Sequence, residues 1–211
     1  SSSNTTVATV SSTGLVTALT AGTTTIVRVL SSTGCSRSVV FTVNPVPTAI
    51  GGGLSVCVGN TSLLSTTPVG GTWTSSNTSV ATINASSGLV SAVLAGTSTI
   101  RYTAPGGCFV QAVVTVLAAP ADITGTLSVC AGSSTLLTST GTGAWTSSNT
   151  SIVTVSGTAT TTTANGLSAG TAIVTHVLAS TGCFKTQVVT VNPLPTTITG
   201  TTGICLGSTA T

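Results

Sequence analysis

Gly71-Thr72-Trp73-Thr74-Ser75-Ser76-Asn77-Thr78-Ser79-Val80-Ala81-Thr82-Ile83 is the stretch on which the reading turns. It returns as Ser2-Ser3-Asn4-Thr5-Thr6-Val7-Ala8-Thr9-Val10, and again as Ser147-Ser148-Asn149-Thr150-Ser151-Ile152-Val153-Thr154-Val155. The cysteines keep the same beat: Cys35, Cys108 and Cys183 form one series, and Cys57, Cys130 and Cys205 another. Steps within each series are 73 and 75 residues, and Trp73 and Trp145 stand 72 apart. Self-similarity at a fixed period marks a tandem array. A unit of about 73 residues is large enough for a small β-sandwich.

Within one unit, short alternating runs sit between turn-forming residues, the pattern of β-strands. Strands are expected at Leu54–Val58, Thr61–Ser65, Thr72–Thr74, Val80–Ile83, Gly88–Val93, Thr97–Tyr102 and Phe109–Leu117, the last two forming a hairpin closed by Pro105-Gly106-Gly107. Val, Ile and Thr are β-branched and favour pleated strands over helix. No segment shows the 3.6-residue period of an amphipathic helix. The fold class is therefore all-β: tandem Ig-like β-sandwiches of about 73 residues in a linear array. The expected core is Trp73 and Trp145, with Val80, Ile83, Leu89, Ile100, Tyr102, Val114 and Val116.

The units divide as a partial repeat at 1–47 that lacks its first strands, whole repeats at 48–119 and 120–194, and the start of a further repeat at 195–211. Val43-Asn44-Pro45-Val46-Pro47 and Val191-Asn192-Pro193-Leu194-Pro195 punctuate the joints. Each Pro fixes its own φ and biases the preceding residue towards extended geometry, so these joints are stiff. Two accounts fit the ends, a window on a longer array or a strand-exchange junction between subunits, and loss of the Trp from the terminal pieces favours the window. The third repeat departs from the pattern at 156–164, where Thr158–Thr163 holds five Thr and one Ala.

Composition narrows function. The chain has 211 residues, four Lys+Arg, one Asp+Glu, one His and a net charge of +3. Thirty Ser and 49 Thr make 79 residues hydroxyl-bearing. General acid–base catalysis needs titratable groups held together, and paired carboxylates cannot be built from one Asp. A Ser/His/Asp triad would require Asp122 to meet His176. Nucleic-acid binding needs many cations against phosphate. No apolar run approaches the roughly 20 residues of a membrane-spanning helix. Neither an enzyme, nor a nucleic-acid binder, nor a membrane span is expected, and no cofactor. A mean hydropathy of +0.64 argues equally against disorder.

The order of Trp73, Ser75-Ser76-Asn77, Val80-Ala81-Thr82-Ile83, Gly88-Leu89-Val90, Ala95-Gly96-Thr97 and Ile100 resembles the second group of bacterial immunoglobulin-like (Big) repeats. The first unit resembles it through Val7–Val10 and Ser11–Ile26. The cysteine-bearing, charge-poor version with Val-Asn-Pro-x-Pro joints is similar to long surface proteins of Bacteroidetes-type bacteria. The resemblance implies a structural extracellular or cell-surface protein, a stalk or fibre subunit, partnered by copies of itself or neighbouring repeats and by covalent glycans. Its alternatives are an adhesin that binds carbohydrate or protein through exposed loops, or a non-catalytic spacer of a larger surface protein.

Three sets of candidate site residues follow. The regular cysteines point to an oxidising compartment, and they lack the close C-x₂₋₄-C spacing of zinc sites. Pairing within a unit, Cys57–Cys108 and Cys130–Cys183, is favoured over pairing across a joint such as Cys35–Cys57, with Cys35 and Cys205 left to partners beyond the sequence; buried free thiols are the alternative. Asn4, Asn60, Asn77, Asn84 and Asn149 lie in N-x-[ST] sequons, which read either as glycan acceptors or as turn formers. Asp122 is followed by Ile123, so the Asp-Ser/Thr form of O-glycan acceptor is missing. Arg28, Arg101 and His176 each stand seven residues before the hairpin cysteine. That spacing assigns them to one outward strand position, either as a contact ladder or as solvated residues that resist edge pairing.

Overall fold

The computed structural model describes residues 1–157, 159–200 and 203–209. The chain forms two compact units, Ser1–Ala118 and Ala119–Thr211. The described residues form strands and no helix. The first repeat supplies β1 (Ala8–Val10), β2 (Val16–Ala18), β3 (Gly22–Val29) and β4 (Ser36–Val43). The second supplies β5 (Gly51–Gly52), β6 (Ser55–Cys57), β7 (Thr61–Ser65), β8 (Thr72–Ser75), β9 (Ala81–Ile83), β10 (Leu89–Ala92), β11 (Gly96–Thr103) and β12 (Phe109–Leu117). The third repeats this order as β13 (Thr124–Gly125), β14 (Ser128–Cys130), β15 (Ser134–Thr138), β16 (Gly143–Ser147), β17 (Val153–Ser156), β18 (Thr161–Gly166), β19 (Gly170–Leu178) and β20 (Phe184–Asn192).

Each whole repeat is a pair of four-stranded sheets. In the second repeat they run β5-β7-β10-β9 and β6-β12-β11-β8; in the third, β13-β15-β18-β17 and β14-β20-β19-β16. Neighbours are antiparallel except at one place in each repeat. There the three-residue β6 or β14, counted with the two-residue β5 or β13 before it as the repeat's first strand, runs parallel to the last, with Cys57 in register with Leu117 and Cys130 with Asn192. In the first repeat β4 pairs only with β3 among the described residues.

Alternation along the long strands fills the space between the sheets. The second repeat buries Trp73, Val90, Ile100, Tyr102, Val114 and Val116, and the third buries Leu137, Trp145, Val153, Val174, Val189 and Val191. Each such side chain contributes about 1.5–3 kcal/mol on burial. The expected core holds at Trp73, Trp145, Val80, Ile100, Tyr102, Val114 and Val116, and Ile83 packs at its edge. Leu89 is a correction: it is 40 % exposed and Val90 is fully buried in its place. Val90 and Ala92 take the inward parity of β10, and Leu89 registers with the exposed Leu63 on the outer face.

The Ser-Ser-Asn segment is a clip. Ser3, Ser76 and Ser148 each accept through Oγ from the backbone N–H of Thr25, Thr99 and Ile173, all at 2.9 Å. Each donates its own N–H back to the same residue's carbonyl, at 3.0, 3.0 and 2.9 Å. The side chains of Asn4, Asn77 and Asn149 then accept from the N–H two residues on, at 3.1, 3.1 and 3.0 Å. Such side-chain bonds imitate a backbone turn. Thr24 and Ser98, both buried, anchor two of the clips from below.

Tyr102 closes the far end of the second repeat. Its ring lies 4.8 Å from that of Trp73, and its hydroxyl accepts from the Gly71 N–H at 2.8 Å while donating to the Pro68 carbonyl at 2.5 Å. A Cβ at position 71 would run into the Thr103 carbonyl and the Tyr102 ring, so only glycine fits this approach. Tyr102→Phe leaves both backbone groups without that partner, and a cost of about 1–3 kcal/mol is expected. Urea unfolding read at the tryptophans checks this; an unchanged midpoint would remove the hydroxyl from the account.

Candidate functional site

The parallel register places the cysteines. Cys57 lies opposite Leu117, whereas Cys108 precedes the same strand nine residues earlier. At about 3.3 Å per residue the two are about 30 Å apart. A disulfide tolerates a Cα separation of about 4.4–6.8 Å. Cys130 opposite Asn192 and Cys183 before Phe184 repeat the geometry. Every whole repeat therefore carries one cysteine at each end. The expected pairs Cys57–Cys108 and Cys130–Cys183 are not formed: Cys35, Cys108, Cys130 and Cys205 are free thiols, while Cys57 and Cys183 are disulfide-bonded. First and last strands lie side by side, but parallel pairing sends their cysteines to opposite ends. Nor are the free thiols buried: Cys35, Cys130 and Cys205 are exposed and Cys108 is half-buried.

Cys108 sits where the two repeats of the first unit meet. Its thiol points to the Asn44 carbonyl at 3.7 Å, and the Asn44 amide donates to the Gly106 carbonyl at 3.0 Å. A cleft of about 620 Å³ opens beside it, lined by residues 18–21, residues 41–46 and Cys108 itself.

The cation position divides in two. Arg101 lies half-buried on the outer face of β11, with its guanidinium carbon 3.7 Å from the Phe109 ring centroid, a cation–π contact, and its Nε buried with no hydrogen-bond partner among the described residues. His176 does not follow it. It is fully buried, registers with Trp145, and stacks on that ring at 4.3 Å with 14° between the planes. It is the counterpart of Tyr102, which registers with Trp73. The cause is hairpin length. The Leu178 N–H closes on the Cys183 carbonyl and that of Leu30 on Cys35, one residue longer than the closure of Ala104 on Cys108. Counting back from the cysteine therefore changes face between repeats. Arg28 shares the His176 position on the inner side of its hairpin and is exposed.

Neither ring nitrogen of His176 has a hydrogen-bond partner among the described residues. Lys185, opposite it on β20, is held at 2.8 Å by the exposed Asp122 carboxylate. Burial lowers the His176 pKa below its ordinary 6.5. This site was not legible as functional from sequence, because spacing from cysteine put the ring outside; the Trp145 register is the signal that finds it. The side chains of Asn4, Asn60, Asn77, Asn84 and Asn149 are all exposed. The Asn84 carbonyl accepts from Ser86 and Ser87, so four of the five sequons also form turns. No group of three or more His, Cys, Asp or Glu gathers among the described residues. No helix among them is long and apolar enough to cross a membrane, which says nothing of β-barrels.

Two sandwiches, each closed by a parallel first strand and clipped by Ser-Ser-Asn, define an all-β protein of tandem Ig-like repeats. The sequence profile of the bacterial Ig-like domain, group 2, matches residues 1–42 and 41–116, and the chain belongs to that family. Among solved structures it is similar to a 282-residue C-terminal fragment of intimin in complex with the intimin-binding domain of its translocated receptor. The two share 15 % identity over 70 % of this chain and 65 % of the fragment, with a TM-score of 0.45. Domains 4 and 5 of the S-layer protein SbsC share 24 % identity, over 64 % of this chain and 83 % of theirs, at a TM-score of 0.26. The Yersinia pseudotuberculosis adhesin InvE shares 18 % identity, over 69 % of this chain and 58 % of its own, at a TM-score of 0.27. The chain thus spans about two thirds or less of the intimin fragment and of InvE. No curated protein matches it significantly.

Two outcomes are expected. Alkylation of the native protein without reduction labels Cys35, Cys108, Cys130 and Cys205, and labels Cys57 and Cys183 only after reduction; peptide mass mapping reads the pattern. His176 binds a proton more readily unfolded than folded. Stability of its unit is therefore fully present above the unfolded pKa near 6.5 and falls as pH drops below it. Calorimetry between pH 7.5 and 5 checks this, and His176→Tyr, which installs the second repeat's residue, should remove the His contribution.

Proposed function

We propose that this chain is a structural extracellular protein, a tandem Ig-like stalk or fibre subunit on a cell surface. The observation that carries the reading is the repetition itself. The same clipped sandwich recurs, while the titratable residues stay scattered among the described repeats. Family membership supports it, since the matched profile is that of a bacterial Ig-like domain. Disulfide bonding of Cys57 and Cys183 supports an oxidising compartment. Such repeats hold their neighbours at a set spacing along the array, the work of a stalk or spacer.

A second reading has its own observation. Phe109 and Phe184 are 48 % and 58 % exposed on the outer faces of their sheets, and Arg101 lies over the first. Such rings suit an adhesin that stacks on sugar or peptide. Glycans on the exposed sequon asparagines belong to the same surface proposal.

Electron microscopy of native material should show long filaments with an axial repeat set by the Ig-like units. Antibody labelling of intact cells should reach the protein without permeabilisation. Dispersed monomers found only inside cells would overturn the proposal.

A further inference from the structure

Trp73 and Trp145 hold the same place in their sheets, in register with Tyr102 and His176, yet the two indole N–H groups are treated differently. Trp145 Nε1 donates to the Ala159 carbonyl at 2.9 Å. Trp73 is only 5 % exposed, and its Nε1 has no hydrogen-bond partner among the described residues and stays open to solvent. An indole N–H can only donate, and a buried one normally finds an acceptor.

Loop length makes the difference. Residues 156–163 join the paired Val155 and Ala164, whereas residues 84–89 join Ile83 and Val90 with two fewer. The longer connection carries the Ala159 carbonyl to the Trp145 ring edge. The shorter one brings Gly88 there, with φ +75, and a Cβ on it would stand 3.0 Å from Trp73 Nε1. Thr162 holds the matching place in the third repeat: it registers with Leu137, as the Gly88 carbonyl accepts from the Leu64 N–H.

The shorter loop leaves a cleft of about 230 Å³ within the second repeat. One water takes up roughly 30 Å³ in the liquid, so the cleft holds far more than a bridging water. Trp73 and Tyr102 line it from the core, Ser86 and Ser87 from the short loop, and the exposed Leu63 and Val69 from the chain before Trp73. Every lining residue is uncharged. The Tyr102 hydroxyl is engaged with the Gly71 N–H and the Pro68 carbonyl, so the Trp73 N–H is the free donor of the aromatic pair.

We propose that this cleft binds a short, extended, uncharged peptide segment of another chain, and that a main-chain carbonyl of the segment accepts from Trp73 Nε1. The third repeat supplies the precedent, since Ala159, in a run of Gly, Ala and Thr, gives its carbonyl to the matching indole. Leu63 and Val69 suit a small apolar side chain, and the Ser86 and Ser87 hydroxyls suit the flanking polar groups. Neutral walls leave a charged segment without a partner for its charge. The site extends the adhesin reading to peptide, and it uses neither Phe109 nor Arg101.

The test follows the two indole N–H signals of the isotope-labelled full chain by NMR. The probe is the acetylated and amidated peptide Ser-Gly-Thr-Ala-Thr-Thr, the sequence of residues 156–161. A saturable shift of the Trp73 signal is expected, with the Trp145 signal unmoved. Trp73→Phe keeps a ring but removes the donor, and binding read at the Ser86 and Ser87 amides should weaken about tenfold, the loss of one hydrogen bond. Ser87→Tyr alters an exposed loop residue, leaves the core intact and fills the cleft, so it should abolish the shift even if Trp73→Phe does not fold. A Trp73 signal unmoved by the peptide, an equal shift at Trp145, or a shift that survives Ser87→Tyr would each overturn the proposal. So would a response to a methyl hexoside in place of the peptide. None of these results bears on filaments or on sugar stacking at Phe109, so failure here removes this site alone.

Discussion

Parallel pairing of a three-residue first strand with the end of the last strand is the constraint on which the rest depends. It caps the last strand's edge in both whole repeats and draws the first segment over the core. It also fixes where each first-strand cysteine can be. An antiparallel first strand would run the other way along the same edge and destroy that correspondence. Everything said about the cysteines descends from this local choice of direction.

Hydroxyl groups take over work that charges do in many surface proteins. The Ser-Ser-Asn clip satisfies backbone donors at a turn with short, neutral side chains. Buried Thr24 and Ser98 tie that turn to the strand beneath, while Ala172 at the matching place leaves the third clip to Ser147 and Ser148. A group of this kind costs little when it is hydrogen-bonded, and far less than a buried charge. His176 is the departure. A ring with no hydrogen-bond partner among the described residues is held by stacking on Trp145, where Tyr102 in the sister repeat has two backbone bonds.

Much of this was readable beforehand. Period, strands and the Trp-centred core followed from alternation and punctuation, because a two-residue period and a glycine turn are local properties. Three things were not readable, for one shared reason. Leu89 against Val90, the inward face of His176 and the separation of Cys57 from Cys108 all depend on register, which sequence spacing alone does not carry. The exposure of Leu89 follows from parity along β10. The cysteine error came from taking adjacency of strands as adjacency of their ends. Family resemblance did not help, since the motif words lie in turns and core positions that survive either register.

The one-residue difference between the Ala104–Cys108 and Leu178–Cys183 closures reaches beyond this molecule. Inserting a single codon into that hairpin moves an entire row of side chains from one side of the sheet to the other when residues are counted from the thiol. A consensus repeat assembled by aligning cysteines would therefore average arginine and histidine into a column that has no common environment. Designers who stack such modules should number each hairpin from its tryptophan partner, which keeps interior and exterior columns apart.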